Sequence, residues 1–338
     1  MGKKYLIIDG NSIGYAAHHA TKLSVGEIET QAIFGFLNSM RDLRLEYPDY
    51  QPIVLWDGRA TWRFELHPKY KSNRDNDPKK AAIKEAYVKQ RSYIFRALKY
   101  LGVRQMTVRT HEADDMAGYL VEKLSANPDN EIVMISGDQD WIQLIRKNVT
   151  WRDIRDERRV VTLSNIMDKT GYATPYAFLE GKCLQGDTSD CISGVGGIGE
   201  TGAPEFLAQF GSVRNFWRKC DSGEFEPTKK AHISLWKGYS KYTKEEWAET
   251  FTGDKSDEKA FKKHMNEWEG QGRSIFMRNF RMMQLLRVTP PEKEEVQVVN
   301  GNFDIEAFKE LCEELAFNSI LINIGTFCRH FKKEKNYE

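Results

Sequence analysis

Val103-Arg-Gln-Met-Thr-Val108-Arg-Thr-His-Glu112-Ala-Asp-Asp115-Met-Ala-Gly-Tyr-Leu-Val-Glu-Lys-Leu124 is the stretch that decides the fold class of this chain. Residues 103–108 read as a strand and residues 113–124 as a helix. Between them Glu112, Asp114 and Asp115 crowd the helix start, where the partial positive charge of the peptide dipoles favours acids. The same pattern recurs elsewhere. Tyr5–Ile8 is an apolar run ending in Asp9-Gly10, Ile53–Trp56 is one ending in Asp57-Gly58, and Ile132–Ile135 is one ending in Ser136-Gly-Asp138-Gln-Asp140. Helical segments alternate with these runs. Residues 32–45 place Ile33, Phe34, Leu37, Met40 and Leu45 at helical spacing, and residues 79–100 are rich in helix formers. Such alternation predicts a mostly parallel central sheet flanked by helices, whose ligands bind beyond the carboxyl ends of the strands. Asp9, Asp57 and Asp138 all fall at that edge.

Nine carboxylates follow this spacing through residue 190: Asp9, Asp57, Glu112, Asp114, Asp115, Asp138, Asp140, Asp187 and Asp190. Each alone has an ordinary explanation, as helix-start decoration or as turn chemistry before glycine. Together they are acids from independent segments directed at one place. Converging carboxylates repel one another and need cations between them. An all-oxygen donor set suits Mg²⁺ or Mn²⁺ better than Zn²⁺. Two such ions, about 4 Å apart, activate a water and stabilise the leaving oxygen of a phosphodiester. The seven histidines show no metal-ligand spacing, and His111 beside Glu112 reads as structural.

Composition narrows the class. With 338 residues, 40% hydrophobic and 29% charged, the chain has the make-up of a soluble globular protein with room for two domains. No apolar run is long enough to span a bilayer, and the start, Met1 to Asp9, is too short in its apolar part for a secretory signal. The expected location is the cytoplasm. Five cysteines without a C-x-x-C pair argue for reduced thiols. Net charge is only +1, yet gathering nine acids in one site leaves a basic remainder. From about residue 165 the pattern turns helical, with a helix over 274–288 stopped by Pro290-Pro291 and a last one capped by Asp304. Residues 220–272 carry little information. Gly194-Val-Gly196-Gly-Ile-Gly199 matches a dinucleotide-binding pattern, but no strand is expected before it, so that reading is rejected.

Leu6-Ile-Ile-Asp-Gly10, Leu55-Trp-Asp-Gly58, Glu112-Ala-Asp-Asp115, Ser136-Gly-Asp-Gln-Asp140 and Gly186-Asp-Thr-Ser-Asp190 come in the order and at the spacing of a known family. Over about residues 4–215 the chain resembles the phage and bacterial 5′-nucleases. These are flap endonucleases and 5′–3′ exonucleases, including the N-terminal domain of bacterial DNA polymerase I. Trp62-Arg-Phe-Glu-Leu-His-Pro-Lys-Tyr-Lys-Ser-Asn-Arg74 adds to the likeness. The resemblance implies a PIN-like, resolvase-like catalytic domain over 1–165 with a helical arch at about 71–100. A helical DNA-binding region then covers 166–338, with a helix–two-turn–helix element at about 183–212.

It also implies roles. Asp57, Glu112, Asp114 and Asp115 resemble an inner metal cluster, and Asp138, Asp140, Asp187 and Asp190 a second. Asp9 is similar to a residue that acts through water on the metal. Lys71 resembles a lysine that places and polarises the scissile phosphate, Arg74 an arginine on the same side, and Tyr70 an aromatic that stacks on a terminal base. Lys69, Lys79, Lys80 and Lys84 belong to a basic stretch interleaved with tyrosines, which suits single-stranded nucleic acid, although such a run is also an ordinary solvated helix face. Gly194, Gly196, Gly197 and Gly199 would let backbone amides and a K⁺ ion hold duplex phosphates. The implied activity is that of a monomeric, Mg²⁺- or Mn²⁺-dependent 5′-nuclease acting on DNA ends, flaps and RNA–DNA primers in replication and repair. A non-catalytic branched-DNA-binding protein would be expected to have lost several acids or Lys71, and a PIN-type ribonuclease to carry fewer acids. Two positions depart from the family: Ala16 where many members have arginine, and Thr201-Gly202 where a lysine commonly follows Glu200. Both remove positive charge that would face DNA.

Overall fold

In the computed structural model, residues 2–20, 22–73, 78–238, 244–269 and 271–332 are described. The apolar runs become the strands of one sheet: β1 (Lys4–Asp9), β2 (Gln51–Trp56), β3 (Arg104–Val108), β4 (Glu131–Ile135), β5 (Val149–Arg152), β6 (Val160–Val161) and β7 (Val296–Val299). Their order is β7-β3-β2-β1-β4-β5-β6. The five central strands run parallel, and the short strands β6 and β7 close the edges antiparallel. In register, Asp9 stands opposite Leu55 of β2, and Ile8 opposite Ile135 of β4. The chain leaves β1 to build one side of the sheet and returns past it to build the other. The carboxyl end of β1 is therefore the point where the strand order reverses, the usual ligand position in such folds.

Two compact units divide the chain. The first holds Met1–Thr61, Arg74–Leu163 and Leu285–Glu338, and the second Trp62–Asn73 and Ser164–Gln284. Two stretches thus cross the boundary expected near residue 165: residues 62–73 cluster with the later chain, and residues 285–338 with the sheet.

In the first unit α1 (Gly10–Ala20) and α2 (Gln31–Glu46) bury Ile13, Ala32, Ile33, Phe36, Leu37 and Met40 in the core. Helix α3 (Pro78–Tyr100) changes character along its length. Lys84, Glu85, Val88 and Lys89 are exposed, whereas Ile94, Ala97 and Leu98 are fully buried with Leu101. Spacing of three and four residues puts those side chains on one face. They meet Phe308, Leu311 and Cys312 of the helix Ile305–Glu314, which Asp304 caps as expected by accepting from the Ala307 amide at 3.0 Å. Half of the expected arch is therefore core. Helix α4 (Ala113–Ser125) follows β3.

The second unit is helical. Thr174 caps α5 (Pro175–Gln185), accepting from the Ala177 amide at 3.0 Å, with Pro175 in the first turn where its missing N–H is harmless. An antiparallel ribbon, Gly186–Asp187 against Ile192–Ser193, leads to the glycine turn and to α6 (Gly202–Phe210) and α7 (Val213–Asp221). That ribbon corrects one expectation, because a two-residue strand does precede Gly194. It is half of an antiparallel hairpin and not of a parallel βαβ unit, so the dinucleotide reading still fails. Residues 220–272 supply helices at Lys230–Lys237, Lys244–Glu249 and Glu258–Glu269. The next helix, α8 (Gly272–Met283), stops five residues short of the expected Val288 because Gln284 turns extended, with ψ 133°. No helix among the described residues is long and apolar enough to cross a membrane.

If the C-terminal helices belong to the core of the sheet, Phe308→Ala should lower the unfolding free energy by about 3–5 kcal/mol. Urea denaturation measures it, and a loss below about 1 kcal/mol would place Phe308 in loose surface packing.

Candidate metal centre

The acids of the first unit gather beyond the carboxyl ends of β1, β2, β3 and β4, and specific donors hold Asp9, Asp57, Glu112, Asp114, Asp115 and Asp138. Asp9, at the end of β1, accepts from the Ser12 amide at 2.9 Å and from the Ser136 hydroxyl at 2.8 Å. Asp57, just past β2, accepts from Asn11 Nδ2 at 2.6 Å and from the Ala113 amide at 2.8 Å. The latter is a free donor at the start of α4, so the helix end and the acid satisfy each other. Gly58 makes this approach possible: a Cβ there would lie 1.9 Å from the Val108 carbonyl oxygen. Its amide donates to the His111 carbonyl at 2.9 Å, tying the two acid-bearing loops together. Glu112 and Asp115 form a reciprocal cap at the start of α4, with the Glu112 amide 3.0 Å from Asp115 Oδ2. Asp114 Oδ1 accepts from Trp141 Nε1 at 2.7 Å. Asp138 caps the 3₁₀ turn Gln139–Leu144 by accepting from the Asp140 amide at 2.8 Å.

These carboxyls feel one another. Burial, followed by the charge of Asp57, pushes Asp9 up to about 6 against the pull of its hydrogen bonds. Burial raises Asp114 well above the ordinary carboxylate range, and the charges of Asp138, Asp9, Asp57 and Glu112 add to it. Among the described residues no three His, Cys, Asp or Glu side chains stand in an ion-holding arrangement as they are. What the chain itself exhibits is a set of mutually repelling carboxylates, with Asp9, Glu112 and Asp115 buried, Asp114 half-buried, and Asp57 and Asp138 exposed at the rim. An all-oxygen, negatively charged set of this kind fits a hard divalent cation.

Asp187, Asp190 and Lys71 lie in the second unit. Lys71 Nζ stands 3.9 Å from Asp190 Oδ2 and 4.7 Å from the Tyr70 ring centroid. Asp187 has a contrasting environment. Burial pushes its carboxyl up, but the Ser189 hydroxyl, the Lys182 charge and the amides of Ser189 and Asp190 outweigh it and hold the group below its ordinary value. Tyr70 is 4% exposed, with its ring edge-on to Phe64, so the face expected to stack on a base is packed against protein here. Lys69 and Lys84 are exposed. Arg74 lies outside the described residues, as do the side chains of Lys79 and Lys80, which begin α3. In the glycine turn, Val195 and Ile198 are buried anchors, while Gly196, Gly197 and Gly199 are exposed. Gly197 adopts φ +84°, a conformation that favours glycine.

Sequence reasoning missed the groups that hold the acids: Asn11, Ser12, Ser136 and Trp141. It also missed Arg155, which donates to the Gly137 carbonyl at 2.7 Å and lies in the field of Asp138. The available signal was the small polar residues beside each acid, as in Asp9-Gly-Asn-Ser12 and Ser136-Gly-Asp138.

Residues 4–171 match the family model described as the 5′-3′ exonuclease, N-terminal resolvase-like domain. Through these residues the chain belongs to the 5′-nuclease family. The thermostable DNA polymerase I of Thermus filiformis is 31% identical over 222 residues, covering 65% of this chain and 25% of the polymerase. The chain thus spans about a quarter of that relative's length. Two solved structures share the fold. A bacteriophage T5 flap endonuclease in complex with DNA and metal ions superposes with a TM-score of 0.61 at 19% identity, covering 97% of this chain and 100% of that one. A T5 5′-exonuclease with bound zinc gives 0.61 at 20%, covering 96% and 100%.

A carboxyl with a raised folded pKa stabilises the fold only while protonated, and that contribution is lost as pH rises from the ordinary 3.8 through the folded value. At neutral pH Asp114 is therefore a liability to the metal-free protein. Asp114→Asn keeps an acceptor for Trp141 and should raise metal-free stability at pH 7 by on the order of 1 kcal/mol. Chemical denaturation in EDTA tests this, and an unchanged or lowered midpoint contradicts the repulsion.

Proposed function

We propose that this chain is a divalent-metal-dependent 5′-nuclease. It hydrolyses phosphodiesters near the 5′ ends of DNA, as a 5′–3′ exonuclease and flap endonuclease, and removes RNA–DNA primers as a monomer. The observation that carries this reading is the mutual repulsion of Asp9, Asp57, Glu112, Asp114 and Asp138 at the switch point of the sheet. A fold gains nothing from gathering like charges unless they serve a cation. Asp57, Glu112, Asp114 and Asp115 would hold one Mg²⁺ or Mn²⁺ ion, and Asp138, Asp140, Asp187 and Asp190 are proposed as ligands of another. When bound, the ions supply charge neutralisation at the phosphate oxygens and activation of a water.

The chain's own groups do the rest. Ser12 and Ser136 fix the Asp9 carboxylate, and Asn11 with the Ala113 amide fixes Asp57, so neither has to reorganise when a phosphate arrives. Lys71 polarises the scissile phosphate with its ammonium, with Arg74 assisting. Lys69, Lys79, Lys80 and Lys84 draw in the single-stranded 5′ end. The exposed amides around Gly194, Gly196, Gly197 and Gly199, aided by K⁺, hold the phosphates of the adjoining duplex.

The test is product sizing on 5′-labelled flap, nicked and blunt DNA. Short 5′ products should form with Mg²⁺ or Mn²⁺ and vanish in EDTA, and no cleavage with either ion would sink the proposal. Asp138→Asn should slow cleavage by on the order of 10³-fold or more while DNA binding survives, because it removes a ligand charge and not a grip on DNA. Lys71→Ala should slow the reaction by on the order of 10²-fold and weaken binding far less. Equal losses in rate and affinity would make Lys71 a binding residue only.

A further inference from the structure

The segment that carries Lys71 is clasped to the ribbon turn that carries Asp187 and Asp190, wholly inside the second unit. Three successive carbonyls of the turn are taken by three donors of the segment in reversed order. Asn73 Nδ2 donates to the Ser189 carbonyl at 3.2 Å, the Lys71 amide to the Asp190 carbonyl at 3.0 Å, and His67 Nε2 to the Cys191 carbonyl at 2.9 Å. A carbonyl oxygen only accepts, so the proton of that last bond sits on Nε2. The Ser72 hydroxyl also reaches Cys191 Sγ at 3.7 Å.

The clasp holds strained backbone. Lys71 has φ +54° and Cys191 φ +58°, the left-handed region, which costs a residue with a Cβ on the order of 1–2 kcal/mol. Such conformations persist only where the surroundings over-determine them. His67 is 8% exposed and holds the peptide that follows Cys191, one of the two strained positions.

We propose that His67 is a positioning residue for phosphodiester cleavage. It touches neither DNA nor ion. Its Nε2–H grip on the Cys191 carbonyl keeps the turn in its left-handed form, and that form sets the Asp190 backbone that receives the Lys71 amide. Through this bond His67 fixes where the Lys71 ammonium and the Asp190 carboxylate stand relative to each other. The assignment rests on the 5′-nuclease reading above.

The test compares wild type, His67→Ala and His67→Gln, since a glutamine amide reaches about as far as the imidazole Nε2 and also donates. Three quantities are read: the single-turnover rate on a flap at saturating enzyme with Mg²⁺, the Kd for the same flap in EDTA, and the Tm. His67→Ala should slow the single-turnover rate by about tenfold or more, with Kd within about threefold of wild type, because misplacement by a fraction of an ångström acts on the rate. His67→Gln should restore the rate to within about threefold of wild type at whatever Tm it has. If His67→Ala does not fold, His67→Asn, whose amide falls short of the carbonyl, replaces it with the same expected readings. A cleaving wild type with an unimpaired His67→Ala overturns this assignment alone, as does a rate loss matched by Kd or a His67→Gln as slow as His67→Ala. A wild type that cleaves nothing overturns the nuclease reading and this assignment with it.

Discussion

Repulsion between carboxylates at the carboxyl edge of a parallel sheet is the constraint around which the first unit is built. A parallel sheet delivers every strand end to the same edge, so acids from distant segments meet there whatever their separation in sequence. Asp9 and Asp138 end neighbouring strands, β1 and β4, on one side of the switch point, and Asp57 follows β2 on the other. Burial makes the repulsion worse, because low-dielectric surroundings screen it less. The apolar layer beneath, with Leu6, Ile8, Val54, Trp56 and Ile135 almost fully buried, supplies the stability that tolerates it.

How the acids are held decides what they can do. Both oxygens of Asp9 and both of Asp57 are engaged by donors of the protein itself. Each oxygen has a second lone pair, so these bonds orient the groups without exhausting them. Several of the donors are backbone amides or short side chains in tight turns, which lose little entropy on alignment. The orientation of these two carboxyls is therefore set by the protein's own donors. Asp187 lives under the opposite regime. Its hydroxyl, amide and ammonium neighbours favour the charged form, so the protein itself secures the carboxylate.

Much of this was legible because it is local. The strands at 4–9, 51–56, 104–108 and 131–135 fall within two residues of their expected bounds, since apolar runs, most of them closed by Asp-Gly or Ser-Gly-Asp, are short-range signals. What escaped was long-range. Strand β7 is four mostly exposed residues that pair with β3 across a separation of about 190 positions, and nothing in Val296–Val299 names that partner. The second half of α3 looked like surface helix because its core-facing residues, Ile94, Ala97 and Leu98, are diluted among Lys and Arg. Asn11, Ser12 and Ser136 passed as turn residues, the usual role of such side chains. Tyr70 was read for its chemistry, and only packing reveals that its ring is covered.

Residues 62–73 sharpen the point, because they follow β2 in sequence yet cluster with the second unit. A loop between two elements of one sheet would normally take its shape from that sheet. Here Lys71 takes its place from the acid-bearing ribbon instead. The ribbon in turn is pinned by glycine packing: a Cβ on Gly194 would lie 2.0 Å from the Gln185 carbonyl oxygen, and Val195 donates to the Leu184 carbonyl at 2.8 Å. The backbone from Gln185 to Val195 therefore sets both the glycine turn and, through the Asp190 carbonyl, the place of Lys71.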